Sequence, residues 1–463
     1  MVRSMEERML LITIGIIILL ELMDSSIINT SLPQIAYSLE VNPIKLKVAI
    51  TIYLLTLGMC IPAASWFAEK FGSRKIIIIC LTGFMLSSLS CGLATNIEML
   101  TISRAIQGVF AAFTVPVARI IMAKVFHDRL VYATAFTASI ILIGPMIGPI
   151  IGGVVTTFIG WRYIFFIHVP VILITLVAVL KFIPEIKENQ KYPFDIIGFI
   201  ILGSAIGLSM LLVDSLVNQH IGLIGKMIIA IACVSLFASY AFYALKKRGS
   251  IINLRIFRNI TFSYFIITSV LLRVFAMGMS FIIPLYLQTQ YQYSPLKAGL
   301  FLIPLVIGSW TAKRWVKRIL EKFHYRKTLF ISFIYTAAIQ VYLGFIMSHY
   351  SEGQMLVAAY LLGLSIGFFT TTCSAAVYKS LPQKHIGPGI VINTATMQLG
   401  SGFAVAFIAA ILIISSGEYM LSWNQVLPLS SFSMVMYICS SLMICLACSM
   451  LFTPKAVATL STD

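Results

Sequence analysis

Fourteen apolar stretches, most of them close to twenty residues long, follow one another almost without interruption through this chain of 463 residues. Wound as a helix at about 1.5 Å per residue, such a stretch matches the roughly 30 Å hydrocarbon core of a bilayer. Inside lipid every backbone N–H and C=O needs an internal partner, which leaves helices or closed barrels. Unbroken apolar runs, rather than alternating ones, select helices. The stretches lie near residues 10–30, 48–68, 76–94, 99–124, 131–157, 161–181, 195–213, 222–245, 261–287, 297–316, 328–347, 354–378, 389–414 and 430–452. The first follows Arg3 and Arg8 as a signal peptide would, but it is too long, lacks a small-residue cleavage site and carries Glu21, Asp24 and Asn29. It reads as the first span. The expected fold is an all-α integral membrane protein with 14 transmembrane helices and no room for a soluble domain.

The charge fits that reading. Charged residues make up 11% of the chain, against about 25% in soluble domains. A net charge of +17 would suggest nucleic acid in a soluble protein, but here the basic residues sit in the short connections. An even number of spans puts both termini on one side, and that side holds twenty-five lysines and arginines against five on the other. The asymmetry places both termini in the cytoplasm, together with 246–259 and 313–327, and removes nucleic acid as a partner. All eight cysteines fall inside spans and read as small packing residues. Cys445 and Cys448 have redox spacing without a redox context. No metal-ligand cluster, phosphate loop or nucleophile motif is present, so neither an enzyme, a cofactor nor ATP-driven work is expected.

An internal repeat organises the spans. Lys70-Phe71-Gly72-Ser73-Arg74-Lys75 follows the second and Lys322-Phe323-His324-Tyr325-Arg326-Lys327 the tenth, an offset of 252 residues. The offset carries spans 1–5 onto spans 9–13, while spans 7 and 8 have no counterpart. The chain therefore divides as 1–190, a six-helix half; 191–250, a two-helix insert; and 251–463, a second six-helix half. Two like halves around a central site is the plan of a parallel-repeat transporter. The same offset relates Glu21 to Arg273, so the two are expected to face one another near the axis, within reach of a salt bridge.

Several motifs carry more specific chemistry. In span 5, Gly144-Pro145-Met146-Ile147-Gly148-Pro149-Ile150-Ile151-Gly152-Gly153 places Gly144, Gly148 and Gly152 on nearly one helix face, where another backbone can approach closely. Pro145 and Pro149 remove backbone donors and bend the helix. Span 1 ends Met23-Asp24-Ser25-Ser26-Ile27-Ile28-Asn29-Thr30-Ser31-Leu32-Pro33, and a carboxylate inside a span is a functional candidate. Ser65-Trp66-Phe67-Ala68-Glu69-Lys70-Phe71-Gly72-Ser73-Arg74 follows span 2, and Leu100-Thr101-Ile102-Ser103-Arg104-Ala105-Ile106-Gln107-Gly108 opens span 4. Asp24 falls about 9 Å, and Arg104 roughly 7–8 Å, below the outer surface, so the two charges can pair. Arg119 lies deeper in span 4 and is expected to snorkel. Trp161-Arg162-Tyr163-Ile164-Phe165-Phe166-Ile167-His168-Val169-Pro170 starts span 6, with His168 read as a packed polar residue.

Taken together, these stretches resemble the fourteen-span drug–proton antiporters of the major facilitator superfamily. The likeness rests on G-x-x-x-G-P-x-x-G-G in span 5, D-x-x-x-x-N-x-x-L-P in span 1 and R-x-x-Q-G in span 4, with Ser65 and Glu69 departing from the usual loop pattern. The resemblance implies a major facilitator fold and an exporter of drugs or other small amphipathic molecules. Such an exporter works as a monomer in the cytoplasmic membrane, driven by the proton gradient. It implies proton coupling through Asp24, Glu21 and Arg104, and a substrate cavity near Asn29, Gln107, Arg273, Asn393 and Gln398. It further implies an antiporter motif at Gly144, Gly148, Pro149, Gly152 and Gly153, and a cytoplasmic gate at Glu69, Gly72 and Arg74. A dedicated metabolite or siderophore exporter on the same scaffold, or a membrane receptor that does not transport, remains the alternative.

Overall fold

A computed structural model describes residues 5–28, 31–41, 43–126, 129–187, 192–217, 222–247, 249–293, 295–349, 351–381, 386–416 and 428–451. Among these no strand occurs. The helices are α1 (Met5–Ile27), α2 (Leu32–Ser38), α3 (Pro43–Cys60), α4 (Ala64–Phe71), α5 (Ser73–Gly92), α6 (Ile97–Val125), α7 (Leu130–Phe158), α8 (Tyr163–Phe166) and α9 (His168–Phe182). They continue as α10 (Ile196–Val217), α11 (Leu223–Lys246), α12 (Ile260–Tyr291), α13 (Pro295–Leu300), α14 (Ile303–Ser348), α15 (Glu352–Lys379), α16 (Ile386–Ser416) and α17 (Leu429–Leu451). Ten helical stretches among the described residues are long and apolar enough to cross a membrane, which makes this a multi-pass membrane protein.

Local chemistry sets several boundaries. Gly72 separates α4 from α5 with φ +99°, a left-handed conformation that L side chains resist. Asn96 opens α6 by accepting the Met99 amide at 2.8 Å, the usual N-cap bond. Asn259 opens α12 in the same way and also donates to the Ser380 carbonyl at 2.7 Å.

One element departs from expectation. The sequence divides 297–347 into two spans with a basic connection, yet α14 runs unbroken for 46 residues. Drawn straight, it would be about 69 Å long, more than twice a bilayer core. Its contacts show that it doubles back. A Cβ at Gly308 would lie 2.8 Å from the Leu364 amide, while the Phe333 ring centre is 6.4 Å from that of Phe369. Twenty-five residues of α14 thus meet only five residues of α15, a mismatch of about 30 Å for straight helices. The bend lies between these contacts, where the basic residues cluster.

The chain forms two compact units. The first comprises Met1–His127, Ile140–Arg258 and Gln383–Ala395; the second comprises Asp128–Ser139, Asn259–Pro382 and Thr396–Asp463. In the first, α6 packs on α3 and α5, α1 on α6 and α9, and α10 on α3 and α11. A Cβ at Gly108 of α6 would overlap the Tyr53 carbonyl and Thr56 side chain of α3, so glycine permits that approach. Ile27, Ile28, Ile35, Leu46, Leu100, Trp161 and Phe165 close the end where α1 stops and α6 begins. In the second unit, α14 packs on α15 and α17, and α12 on α15 and α17.

The α10–α11 pair is tied together by one buried carboxylate. Asp195 accepts from Gly198 N at 3.1 Å, Tyr243 Oη at 2.6 Å, Lys247 Nζ at 2.8 Å and Ile251 N at 3.1 Å. Burial pushes the Asp195 carboxyl up, but these four donors together hold it below the ordinary aspartate value.

Candidate functional site

The polar centre of the first unit is built from α1, α6 and α9, with an aromatic wall from α3. Asp24 lies in the last turn of α1 and is fully buried. The C-terminal end of a helix disfavours an anion, so a carboxylate there needs a compensating charge. Arg104 supplies it. Its Nη1 donates to Asp24 Oδ2 at 2.8 Å, and neither side chain is exposed. Gln107, one turn further along α6, accepts from the same Nη1 at 2.7 Å and donates to Asp24 Oδ1 at 3.2 Å. The three side chains close a ring of hydrogen bonds.

The Arg104 guanidinium lies 4.0 Å from the centre of the Tyr53 ring, a cation–π distance. On the other side of the carboxylate, His168 Nε2 stands 3.8 Å from Asp24 Oδ1, also with no exposure. Arg104 Nε and Nη2 and both His168 ring nitrogens have no hydrogen-bond partner among the described residues. Unpaired buried polar atoms are uncommon in folded proteins, so these donors set the site apart from ordinary packing.

The glycine stretch of α7 meets α1 at the same level. A Cβ at Gly144 would stand 2.5 Å from Leu22 Cβ, and one at Gly148 would stand 3.0 Å from the Met23 carbonyl and overlap the Ser26 hydroxyl. Asp24 sits between these contacts in sequence. Gly152 is buried too, whereas a Cβ at Gly153 would meet no described atom within 4 Å. Further along the same pair of segments, Ser31 Oγ and Thr156 Oγ1 are 2.5 Å apart. The Pro149 side chain and all of Asn29 lie outside the described residues.

Of the other expected site residues, Glu21 is half-buried one turn before Asp24 and belongs to the first unit. Arg273 belongs to the second, where its Nε donates to Ser401 Oγ at 2.7 Å. Asn393 is fully buried on α16 and Gln398 half-buried on the same helix. In the 65–74 motif, Ser65 Oγ donates to Glu69 Oε1 at 2.9 Å. Arg74 Nε stands 3.7 Å from Glu185 Oε2, and Ser73 N donates to the Ile186 carbonyl at 2.9 Å. Glu185, in the segment after α9, gave no sign of itself in the sequence.

Arg119 corrects an expectation. It does not snorkel: it is 7% exposed and its Nη1 donates to Thr394 Oγ1 at 3.3 Å, an acceptor inside the fold that replaces water. Among the cysteines, Cys445 and Cys448 are exposed on α17 rather than packed, while Cys80, Cys91, Cys233, Cys373 and Cys439 are buried.

Comparison with known proteins gives a consistent picture. The sequence model of the Major Facilitator Superfamily matches residues 14–405. Proteins carrying the name multidrug resistance protein MdtD, from Yersinia pestis (strain Pestoides F) and Yersinia pseudotuberculosis serotype O:1b (strain IP 31758), are 30% identical over 433 residues, covering 92% of this chain and 91% of theirs. The crystal structure of the human organic anion transporter MFSD10 (TETRAN) superposes with a TM-score of 0.65 at 13% identity, over 97% of this chain and 100% of that one. The proton:xylose symporter XylE superposes with a TM-score of 0.61 at 14% identity, over 96% and 95%. At such identities the two structures share the fold alone.

Proposed function

The chain belongs to the Major Facilitator Superfamily, and from that premise we propose that it is a proton-coupled antiporter exporting drugs or other small amphipathic molecules. The observation that carries this reading is the Asp24–Arg104 ion pair, 2.8 Å long and fully buried between α1 and α6. An arginine stays protonated, so the carboxylate is the member that titrates. While paired, Asp24 is held as an anion. A rearrangement of α1 against α6 that parts them leaves a buried, uncompensated carboxylate, which takes up a proton; re-pairing expels it. Gln107 follows either partner, and the Gly144–Gly148 face of α7 gives α1 a smooth surface on which to move. The likeness to proteins named for multidrug resistance supports the substrate class.

The same reading holds the chain to be two six-helix halves, 1–190 and 251–463, joined by the insert 191–250, with fourteen crossings. It sits in the cytoplasmic membrane with both termini inside, as the charge asymmetry supports. Asn29, Gln107, Arg273, Asn393 and Gln398 line the substrate path, and Glu69, Gly72 and Arg74 form the cytoplasmic gate. The proton gradient is the energy source, no bound cofactor takes part, and the working unit is the monomer.

The test is transport by purified protein in liposomes under an imposed pH gradient, with a panel of amphipathic dyes and drugs beginning with ethidium. Substrate movement that follows the pH gradient and collapses with it supports the reading. Movement that persists unchanged after the gradient is dissipated contradicts proton coupling.

A further inference from the structure

We infer that His168 is a second proton-binding group of the coupling site, sharing the transported proton with Asp24. The inference rests on the antiport reading above. It starts from a geometry that packing alone does not explain. His168 opens α9 with no solvent exposure, yet neither ring nitrogen has a hydrogen-bond partner among the described residues. Its Nε2 points at Asp24 Oδ1 from 3.8 Å, just beyond hydrogen-bond length. The ring also packs edge-to-face on the Phe84 side chain of α5, with centroids 5.9 Å apart, and lies near the Ile164 and Phe165 carbonyls one turn back. A buried polar ring with no well-formed hydrogen bond among the described residues, held one small step from a carboxylate, fits a group that is paired in another arrangement of the same site.

The charged and titratable groups around it are few. Asp24 faces it from α1, and Arg104 lies beyond Asp24 on α6; Glu21, one turn before Asp24, acts on Tyr53 of α3, which closes the network on that side. Cys91 of α5 reaches the same network through Gln107, Sγ to Oε1 at 3.7 Å. With Arg104 on Asp24, the carboxylate is satisfied and His168 is left aside. Once Arg104 withdraws, Asp24 Oδ1 keeps only Gln107 and the imidazole. A closure of less than about 1 Å then makes the Asp24–His168 hydrogen bond. One proton resides either on Oδ1, with a neutral imidazole, or on the ring as imidazolium beside the carboxylate. Exchange between the two forms one O–H bond as one N–H bond breaks, and the total charge of the pair is constant.

The consequence is a working range. Two groups that share one proton titrate with midpoints that belong to the pair and not to either residue, so removing the imidazole changes the range over which the carrier loads and releases its proton.

Two measurements on the full-length protein test this. The first is a pH titration by NMR of 15N-histidine-labelled protein in lipid nanodiscs, with no substrate added. The His168 signal is assigned by its loss in His168→Gln, or, if that variant does not fold, by retaining His168 as the sole histidine. Asp24→Asn is expected to displace the His168 midpoint by about one pH unit or more, as loss of a contacting charge does. A midpoint that moves by no more than a few tenths of a unit overturns the inference. The second is the pH dependence of gradient-driven ethidium transport in His168→Asn and His168→Gln. Both should still bind ethidium, with the pH–rate curve displaced by about one unit or more. An unchanged curve, or loss of binding in both variants, makes His168 a packing residue and overturns the inference. These outcomes are separate from the parent reading: gradient-driven transport surviving in Asp24→Asn removes Asp24 as the proton carrier on which that reading rests, whereas abolished transport with an indifferent His168 removes only the present inference.

Discussion

Arg104 meets Asp24 through a single guanidinium nitrogen: Nη1 serves both Asp24 and Gln107, while Nε and Nη2 find no hydrogen-bond partner among the described residues. Replacing Arg104 by Ala strands a buried carboxylate, and breaking a well-buried pair costs about 3–5 kcal/mol. Arg104→Ala should therefore lower the melting temperature of the purified protein and abolish gradient-driven transport. Adding Asp24→Asn to it should recover most of the lost stability, because the stranded charge is gone. A double variant no more stable than Arg104→Ala would show that the pair is not energetically coupled.

The α7 glycines give a second expectation with an internal control. A side chain at Gly148 would run into Ser26 and the Met23 carbonyl, whereas one at Gly153 meets nothing described. Gly148→Val should cost about 1–3 kcal/mol through overpacking and reduce transport at least tenfold, because it displaces the segment that carries Asp24. Gly153→Ala should transport at near the wild-type rate. Equal effects of the two would remove the α1–α7 contact from the mechanism.

Asp195, the residue just before α10, provides a pH dependence that can be followed as stability. Its folded value lies below the unfolded one, so its stabilising contribution is present above the ordinary aspartate value of about 3.9 and is lost as the pH falls through the depressed folded value. Asp195→Ala, which leaves the Gly198 and Ile251 amides without their acceptor, should cost about 1–3 kcal/mol at pH 7. The difference in melting temperature from wild type should shrink as the pH is lowered below 4. A difference that is constant down to pH 3 would contradict the assignment.

The topology can be read directly. In a cysteine-free background, Ser250→Cys and Lys322→Cys should resist membrane-impermeant maleimide in intact cells and react once the cells are opened. Ready labelling from outside would invert or break the fourteen-crossing arrangement.

Much of this site was legible because charge inside an apolar run is costly and therefore conspicuous. Asp24 and Arg104 stood out for that reason, and helix rise alone put them at one depth. Gln107 came with Arg104, one turn along the same face. The Gly144–Gly148 contact followed from spacing, although not its partner, since a glycine face does not say which helix it meets. Tyr53 was invisible because an aromatic ring in an apolar span looks the same whether it packs on leucine or on a guanidinium. The closeness of His168 to Asp24 depends on how α9 lies against α1, which no spacing encodes. Glu185 sits in an aperiodic segment and announces nothing until Arg74 is seen beside it. The unbroken α14 has a simpler origin: its connection is rich in Lys and Arg, good helix formers, so basic loop composition and helical backbone coexist there.

The central claim is that Asp24 carries the proton, and Asp24→Asn tests it most directly, because asparagine keeps the size and most hydrogen bonds but cannot titrate. In liposomes, with binding and transport of ethidium measured side by side, the variant should bind the dye within about threefold of wild type. It should show no transport driven by a pH gradient. Gradient-driven transport at the wild-type rate in Asp24→Asn would contradict the account and shift the proton to Glu21, one turn earlier on α1.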